Sequence, residues 1–333
     1  MSIFSKLVYD YNLLALRYMQ KNKRIRALYT KVVTESCLHP KRVVVMANEM
    51  VHNGGLGDRL HGFISIYIFC QEEGLDFKIN FCDPFRLHDY LEPNEYEWDI
   101  DPKDIIYDLN VAEPVHMACT FKKYGGTPEQ EASFMNRYLK WRINKFPQKE
   151  FHVYTNEHLA NTPEVYSKCF HQLFKPSEAL NNAIKWNKSR IGSDYIAIVL
   201  RFQNLLGDFL ERDFPTLSET EQCLLMDKVL IKIKDIFTSK HLGSKILVTS
   251  DSRKFLDFAE QLSYVYTIPG KVVHMSYTPI RDFDIHLKSF VDLMMLADAK
   301  KIYLLVVGKM FHSGFAESAS FINNRPYEVI KMD

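Results

Sequence analysis

Residues 41–81 read KRVVVMANEMVHNGGLGDRLHGFISIYIFCQEEGLDFKINF, and this stretch decides the fold. Lys41–Asn48 sets three β-branched valines in a row, the pattern of a strand buried on both faces. Glycines follow at Gly54, Gly55 and Gly57. From Arg59 to Glu73, Leu60, Phe63, Ile64, Tyr67 and Ile68 recur at helical steps, and Phe77–Phe81 reads as the next strand. Strand, glycine turn, helix and strand open an α/β domain.

The same alternation returns near Asp194. Tyr195–Phe202 reads as a strand, and Ser218–Thr238 as a helix with Ser218 and Glu221 spaced as a capping box. Then come a strand at Lys245–Thr249, helices at Ser252–Leu262 and Asp284–Ala299, and a strand at Lys301–Val307. A short helix at Ser313–Asn323 and a strand at Tyr327–Lys331 close the run. This order predicts a mostly parallel, doubly wound sheet. Between the two runs, helices are expected near 129–145 and 176–190, while residues 83–130, rich in Pro, Asp and Tyr, show no clear period. A chain of 333 residues, at ~150 per domain, makes two domains. The expected division is a basic amphipathic segment over 1–40, a first domain over 41–190 and a second over 191–333, with the handover around 185–195.

Composition narrows the class. The chain is 47% hydrophobic and 25% charged, which excludes disordered, collagenous and coiled-coil classes. A net charge of +1 gives no reason to expect nucleic acid as a partner. None of the six cysteines forms a CxxC pair, so neither a zinc site nor a redox motif is indicated. No secretory signal pattern is visible, and a reducing cytoplasm is the expected setting. The charge is unevenly placed, however. Residues 1–42 carry nine Lys or Arg against Asp10 and Glu35, nine minus two giving +7. Ile3, Phe4, Leu7, Val8, Tyr11, Leu14 and Tyr18 recur at helical spacing there. Two readings stand: a helix packing its stripe on the body of the protein, or residues 1–30 lying on an anionic inner membrane face.

Four places can carry chemistry. The first is the glycine loop, whose amides and following helix can approach an anion closely, or which is simply a tight turn. Leu60 stands where a dinucleotide fingerprint needs its third glycine, and no GK[ST] follows, so neither that motif nor a Walker loop is present. The second is Arg201, at the carboxyl end of a strand, where open α/β sheets bind ligands. Its guanidinium can clamp a diphosphate or pair with an acid. Asp208, a few residues on, can accept a proton or cap a turn. The third is Asp251-Ser252, which either caps a helix or faces the same crevice. The fourth is Asp292, interrupting an apolar helix and expected on its solvated face, followed by Ser313, Gly314 and Phe315 at a strand-to-helix turn. Two DxD tripeptides, Asp99–Asp101 and Asp282–Asp284, occur as often as chance gives, and no HExxH, EF-hand loop or GxSxG elbow is found. No metal is indicated.

In this order the pieces resemble the superfamily of α-1,2-, α-1,6- and protein O-fucosyltransferases. The shared pattern is a GGLGDRL-like loop after the first strand, an Arg motif opening the second domain, and a strand ending Thr249-Ser250-Asp251. The helix Asp292–Ala299 and then Ser313-Gly314-Phe315 complete it. The resemblance implies two Rossmann-like domains facing a cleft, the GT-B arrangement. It implies GDP-fucose as donor, inversion at the anomeric carbon, no metal or other cofactor, and a glycan or lipid-linked glycan as acceptor in surface polysaccharide synthesis. Arg201 would hold the β-phosphate, with Gly54, Gly55, Gly57, Asp58 and Arg59 beside it. Asp251, Ser252, Ser313, Gly314 and Phe315 would line the donor pocket, and Asp292 would contact the base or its surroundings. Asp208 would act as the general base, with Asp58 and Asp251 in reserve. Val199 stands where the family has His, Phe202 where many members have a second Arg, and the spacings to Asp208 and Ser313 are longer. A related GDP-sugar or another 6-deoxyhexose therefore fits as well. A non-catalytic nucleotide- or glycan-binding protein on the same fold is the alternative, and a Rossmann oxidoreductase is a third, weakened by the missing glycine.

Overall fold

The computed structural model describes residues 22–30, 40–51, 54–117, 127–159, 161–209, 211, 214–239, 245–270, 272–273, 275 and 281–332. The helix expected over the first twenty residues lies outside them; residues 22–26 are helical. The chain divides into two compact units. One is Met1–His88, Glu92–Val165 and Cys169–Phe174; the other is Asp89–Leu91, Tyr166–Lys168 and Lys175–Asp333.

The first unit is built on a four-stranded parallel sheet. Its strands are β1 (Arg42–Ala47), β2 (Asp76–Phe81), β4 (Ala112–His116) and β5 (Glu150–Tyr154), in the order β2-β1-β5-β4. Two short strands, β3 (Leu91–Pro93) and β6 (Phe174–Pro176), pair in a small sheet of their own. Register runs from Arg42 opposite Asp76 to Ala47 opposite Phe81. The valine run does what its sequence demands: Val43, Val44 and Val45 have no exposure. Helix α1 (Leu56–Glu73) links β1 to β2 and buries Leu60, Phe63, Ile64 and Tyr67. Gly62 lets it sit close to the backbone after β5, since a Cβ there would lie 2.7 Å from the Thr155 carbonyl oxygen and 2.9 Å from Asn156 Cα. Helix α2 (Pro128–Lys145) precedes β5, and α3 (Pro163–Leu173) follows it.

The central strand β5 escapes a hydrophobic-period reading because its sequence, EFHVY, buries polar groups. Glu150 is 1% exposed and pairs with Arg42 and His152. His152 Nδ1 in turn lies 2.7 Å from the Tyr29 hydroxyl, itself 2.9 Å from that of Tyr154. A buried charge is tolerated only when paired and hydrogen-bonded, and this chain of contacts satisfies that condition.

The second unit carries a five-stranded parallel sheet: β7 (Ala197–Leu200), β8 (Ile246–Ser250), β9 (Val265–Tyr266), β10 (Ile302–Val307) and β11 (Tyr327–Met332), ordered β11-β10-β7-β8-β9. Helix α4 (Glu178–Ile191) leads in, and α5 (Glu219–Ser239), α6 (Arg253–Ala259), α7 (Phe283–Asp298) and α8 (Phe315–Ile322) connect the strands in turn. Ser218 and Glu221 form the expected box: the Ser218 N–H donates to Glu221 Oε2 at 2.9 Å, and the Glu221 N–H to Ser218 Oγ. The core on one face joins Ile198 and Leu200 to Met226, Val229, Ile233 and Ile236 of α5. Helix α4 packs on α7 and belongs to this unit, and the chain's last crossing from the first unit to the second falls at 174/175.

The connections explain where a ligand can sit. From β7 the chain winds outward through β8 to β9, then crosses back to place β10 and β11 on the other side of β7. The strand order therefore reverses between β7 and β10. Loops leaving the carboxyl ends of those two strands turn away from each other and open a crevice.

Candidate functional site at the carboxyl edge of the second sheet

Arg201 is the first residue after β7, at that reversal. One guanidinium nitrogen bonds Glu211, Nε lies 3.3 Å from Asp251 Oδ2, and the group stacks on Phe209 at 4.6 Å. Its side chain is 17% exposed, so it is half-buried and reachable. The loop that carries it is pinned from β8. Asp251 is 5% exposed and accepts the backbone N–H of Phe202 at 2.8 Å and of Gln203 at 2.7 Å. Burial pushes the Asp251 carboxyl above the usual carboxylate range, against the pull of Arg201 and the two N–H groups. Gln203 sits at φ +53, a left-handed conformation that costs a side-chain-bearing residue energy and that surrounding contacts must hold.

Asp208 is exposed and caps α6. Its Oδ2 accepts the Lys254 N–H at 2.7 Å and the Ser252 hydroxyl at 3.0 Å. Ser252 Oγ accepts the Phe255 N–H at 3.1 Å, as an N-cap does. Ser252 is thus the N-cap, Asp208 meets the start of the helix rather than a turn, and Asp251 pins the loop after β7, so that Asp208, Asp251 and Ser252 share one place. A cavity of about 410 Å³ opens there, lined by Asp208, Asp251, Arg253, Gly270 and Val272.

The segment after β10 lies on the other side of Arg201. The Phe311 N–H donates to the Arg201 carbonyl at 3.0 Å. Two residues on, Ser313 Oγ accepts the Phe315 N–H at 3.2 Å. Gly314 stands at the N-cap of α8 and brings no side chain to cap it. Gly314 is exposed and Ser313 half-buried, so the positive end of α8 is open to solvent next to Arg201's own strand.

Asp292 is not on a solvated face. It is 4% exposed, and its carboxylate is taken by Lys288 Nζ at 2.6 Å, one turn earlier on α7. Burial lifts its carboxyl above the ordinary range against the opposing pull of Lys288. The Lys288-x-x-x-Asp292 spacing is the sequence signal of that pair.

The glycine loop lies in the first unit. Gly54 takes φ +70, and a Cβ there would stand 2.7 Å from Asp58 Oδ2. The Gly55 N–H donates to that carboxylate at 3.1 Å, and Gly57 is buried in the first turn of α1. The Arg59 guanidinium is turned inward. It donates to the Gly54 carbonyl at 3.2 Å and the Asp83 carbonyl at 2.6 Å, stacks on Phe81, and burial lowers its pKa to about 10. Asp58 and Arg59 therefore build the turn, which is the structural reading of this motif.

Glu211 and Gln203 escape sequence reasoning. Glu211 reaches Arg201 through an irregular loop tied by Asn204, whose Oδ1 accepts the Glu211 N–H at 2.8 Å, and no periodicity signals that path. Among the described residues no cluster of three or more His, Cys, Asp or Glu is placed to hold a metal ion, and no helix is long and apolar enough to cross a membrane.

No protein-family model matches the chain, and a search of curated proteins finds no relative. Solved structures do match. NodZ α-1,6-fucosyltransferase soaked with GDP-fucose is 14% identical with a TM-score of 0.54, over 88% of this chain and 95% of that one. Selenomethionyl fucosyltransferase NodZ from Bradyrhizobium is 15% identical at 0.53, over 89% and 96%. A mutant of Arabidopsis thaliana FUT1 in complex with GDP is 13% identical at 0.53, over 100% and 80%. The chain shares their α/β fold along most of its length.

Proposed function

We propose that this protein is a glycosyltransferase that moves a sugar, fucose from GDP-fucose, onto a hydroxyl of a glycan or glycolipid, with inversion and without a metal. One observation carries the reading. Arg201 stands where the strand order reverses, joined on one side to the segment that opens α8 and on the other to a cavity sized for a small molecule. NodZ soaked with GDP-fucose and the FUT1 mutant in complex with GDP share this fold.

The chemistry follows from where charge grows. Breaking the bond between the sugar and a diphosphate builds negative charge on the leaving phosphate. Donors already aimed at that place strengthen as the charge develops. Arg201 supplies a cation held in orientation by Asp251 and Phe209, and the start of α8, where Ser313 Oγ takes only the Phe315 N–H, supplies its other first-turn backbone N–H groups. Both groups are fixed before substrate arrives, so the step requires little reorganisation. The proton of the attacking hydroxyl needs a base. Asp251 is buried and committed to two backbone N–H groups, which removes it from the role. Asp208 is exposed at the mouth of the cavity and is the carboxylate we assign. The GT-B cleft, the polysaccharide setting and contact of residues 1–30 with an inner membrane face belong to the same proposal.

A second reading has one observation in its favour. Arg201 is already paired with two carboxylates, and Asp208 already caps a helix. A nucleotide- or glycan-binding protein without turnover would look the same. The deciding experiment follows GDP release from GDP-fucose, with and without glycan acceptors. Acceptor-dependent release that falls at least ~100-fold in Arg201→Ala supports transfer, since one transition-state donor is worth that much. GDP binding with no release supports the second reading. Release unchanged in Arg201→Ala shows the role is misassigned.

A further inference from the structure

Helix α2 carries more apolar surface than the core uses. Its buried side is complete: Ala132, Met135, Leu139 and Ile143 recur at helical steps and face the interior. Phe134, Tyr138 and Trp141 form a second stripe beside it, within about 60° of arc at 100° per residue. The rings follow one another: Phe134 and Tyr138 stack with centroids 6.5 Å apart, and Tyr138 and Trp141 lie 6.0 Å apart. Lys145 continues the stripe, its Nζ 4.7 Å from the Trp141 ring centroid. Trp141 is 48% exposed, a large apolar group left in water.

The charge around this stripe is predominantly positive. Arg137, Lys140 and Lys145 are exposed on α2, and Lys140 meets Glu73 at 2.7 Å. Arg142 is turned inward to the buried Glu113. The acids of the helix, Glu129 and Glu131, lie in its first turn, and no acid occurs from residue 132 to 149. The helical turn at 22–26 adjoins the stripe, because Asn22 Nδ2 donates to the Tyr138 hydroxyl at 3.1 Å. That turn exposes Lys23 and Arg24. The aromatic stripe and its cationic rim therefore adjoin the turn that carries Lys23 and Arg24.

We propose that this surface docks on an anionic lipid bilayer, with Trp141 entering the headgroup boundary and Arg137, Lys140 and Lys145 facing lipid phosphates. Tryptophan beside Lys and Arg suits that boundary: the ring is apolar with a polar edge, and the cations meet the negative headgroups. The inference does not depend on the sugar-transfer reading, since α2 lies in the first unit and Arg201 in the second.

The test uses the full chain and flotation with two kinds of vesicle, phosphatidylcholine alone and phosphatidylcholine mixed with phosphatidylglycerol. The wild type should float with the anionic vesicles, lose binding as salt rises, and ignore the neutral ones. Each exposed Lys or Arg contributes about fivefold to partitioning on an anionic surface. The combined variant Arg137→Gln, Lys140→Gln, Lys145→Gln should therefore bind about 100-fold more weakly, and Trp141→Ala should weaken binding at fixed salt. Both should keep the wild-type circular dichroism spectrum and Tm, which shows they are folded. Equal flotation of the triple variant and wild type would overturn the proposal and leave residues 1–21 as the contact. Failure of the wild type to float, or indifference to lipid charge, would overturn it too. So would a Trp141→Ala protein that loses soluble glycan while still floating, which would make the stripe a sugar platform.

Discussion

Glu211→Gln removes a negative charge and little else. In the unliganded protein Glu211 holds Arg201 from the loop after β7, and both side chains are mostly covered, 14% and 17% exposed. A diphosphate arriving at Arg201 meets this carboxylate as a competitor for the same guanidinium. Hydrogen bonds to a charged group contribute about 1.5–3 kcal/mol and neutral ones about 0.5–1.5. The variant keeps a hydrogen bond and loses the charge, so the competing contact weakens by about 1–1.5 kcal/mol. At 1.4 kcal/mol per factor of ten, GDP affinity rises roughly tenfold. Repulsion between Glu211 and phosphate acts in the same direction. The cost appears without ligand: Arg201 retains Asp251, and a loss of about 1 kcal/mol lowers Tm by roughly 2–4 °C for a unit of this size. Calorimetry of GDP binding and a thermal scan of the free protein measure both. Weaker GDP binding in Glu211→Gln would refute the reasoning, because it would make Glu211 a support that aims Arg201 rather than a rival for it.

Three further outcomes follow from the packing. Lys288→Met strands the buried Asp292 carboxylate and should cost about 3–5 kcal/mol in urea unfolding, while Lys288→Met with Asp292→Leu should recover most of it; equal losses in both would show that the pair's shape matters more than its charge. His61 is buried against the His158 ring, and burial followed by that neighbour lowers its pKa to about 3. The unfolded chain takes up this proton near pH 6.5 and the folded one does not, so stability is full above that pH and falls by about 1.4 kcal/mol per unit below it, down to the folded value. Between pH 7.5 and 5.0 His61→Gln should lose about 2 kcal/mol less than wild type in urea unfolding, and parallel losses would contradict the assignment. In a thermal-shift panel GDP should raise Tm while UDP, NAD and FAD should not; a response to NAD or FAD would favour an oxidoreductase.

The α/β class was legible because buried parallel strands are written as unbroken apolar runs rich in β-branched residues, as in Val43–Val45, Ile196–Leu200 and Ile302–Val307. The strands that escaped are the two- and three-residue β3, β6 and β9, too short to show a period, and β4 and β5, where burial is achieved by pairing. β5 hides Glu150 and His152, and β4 hides Glu113 between Arg26 and Arg142. Pro114 is tolerated in β4 because that strand is the sheet edge. Helix α3 has a readable start, Thr162 as N-cap with Pro163 next. At the site, Arg201 was legible from its place after a strand. What Asp208, Asp251 and Arg59 do was not, because each contacts backbone groups that a long-range fold delivers. A carboxylate that caps a helix or pins a loop has the same one-letter code as one that takes a proton.

The most direct measurement is calorimetric titration of GDP into wild type and Arg201→Ala. A diphosphate gripped by this guanidinium predicts measurable binding in the first and a loss of about 10- to 100-fold in the second, the worth of one charged hydrogen-bonding partner. Identical affinities, with both proteins folded, would contradict the account.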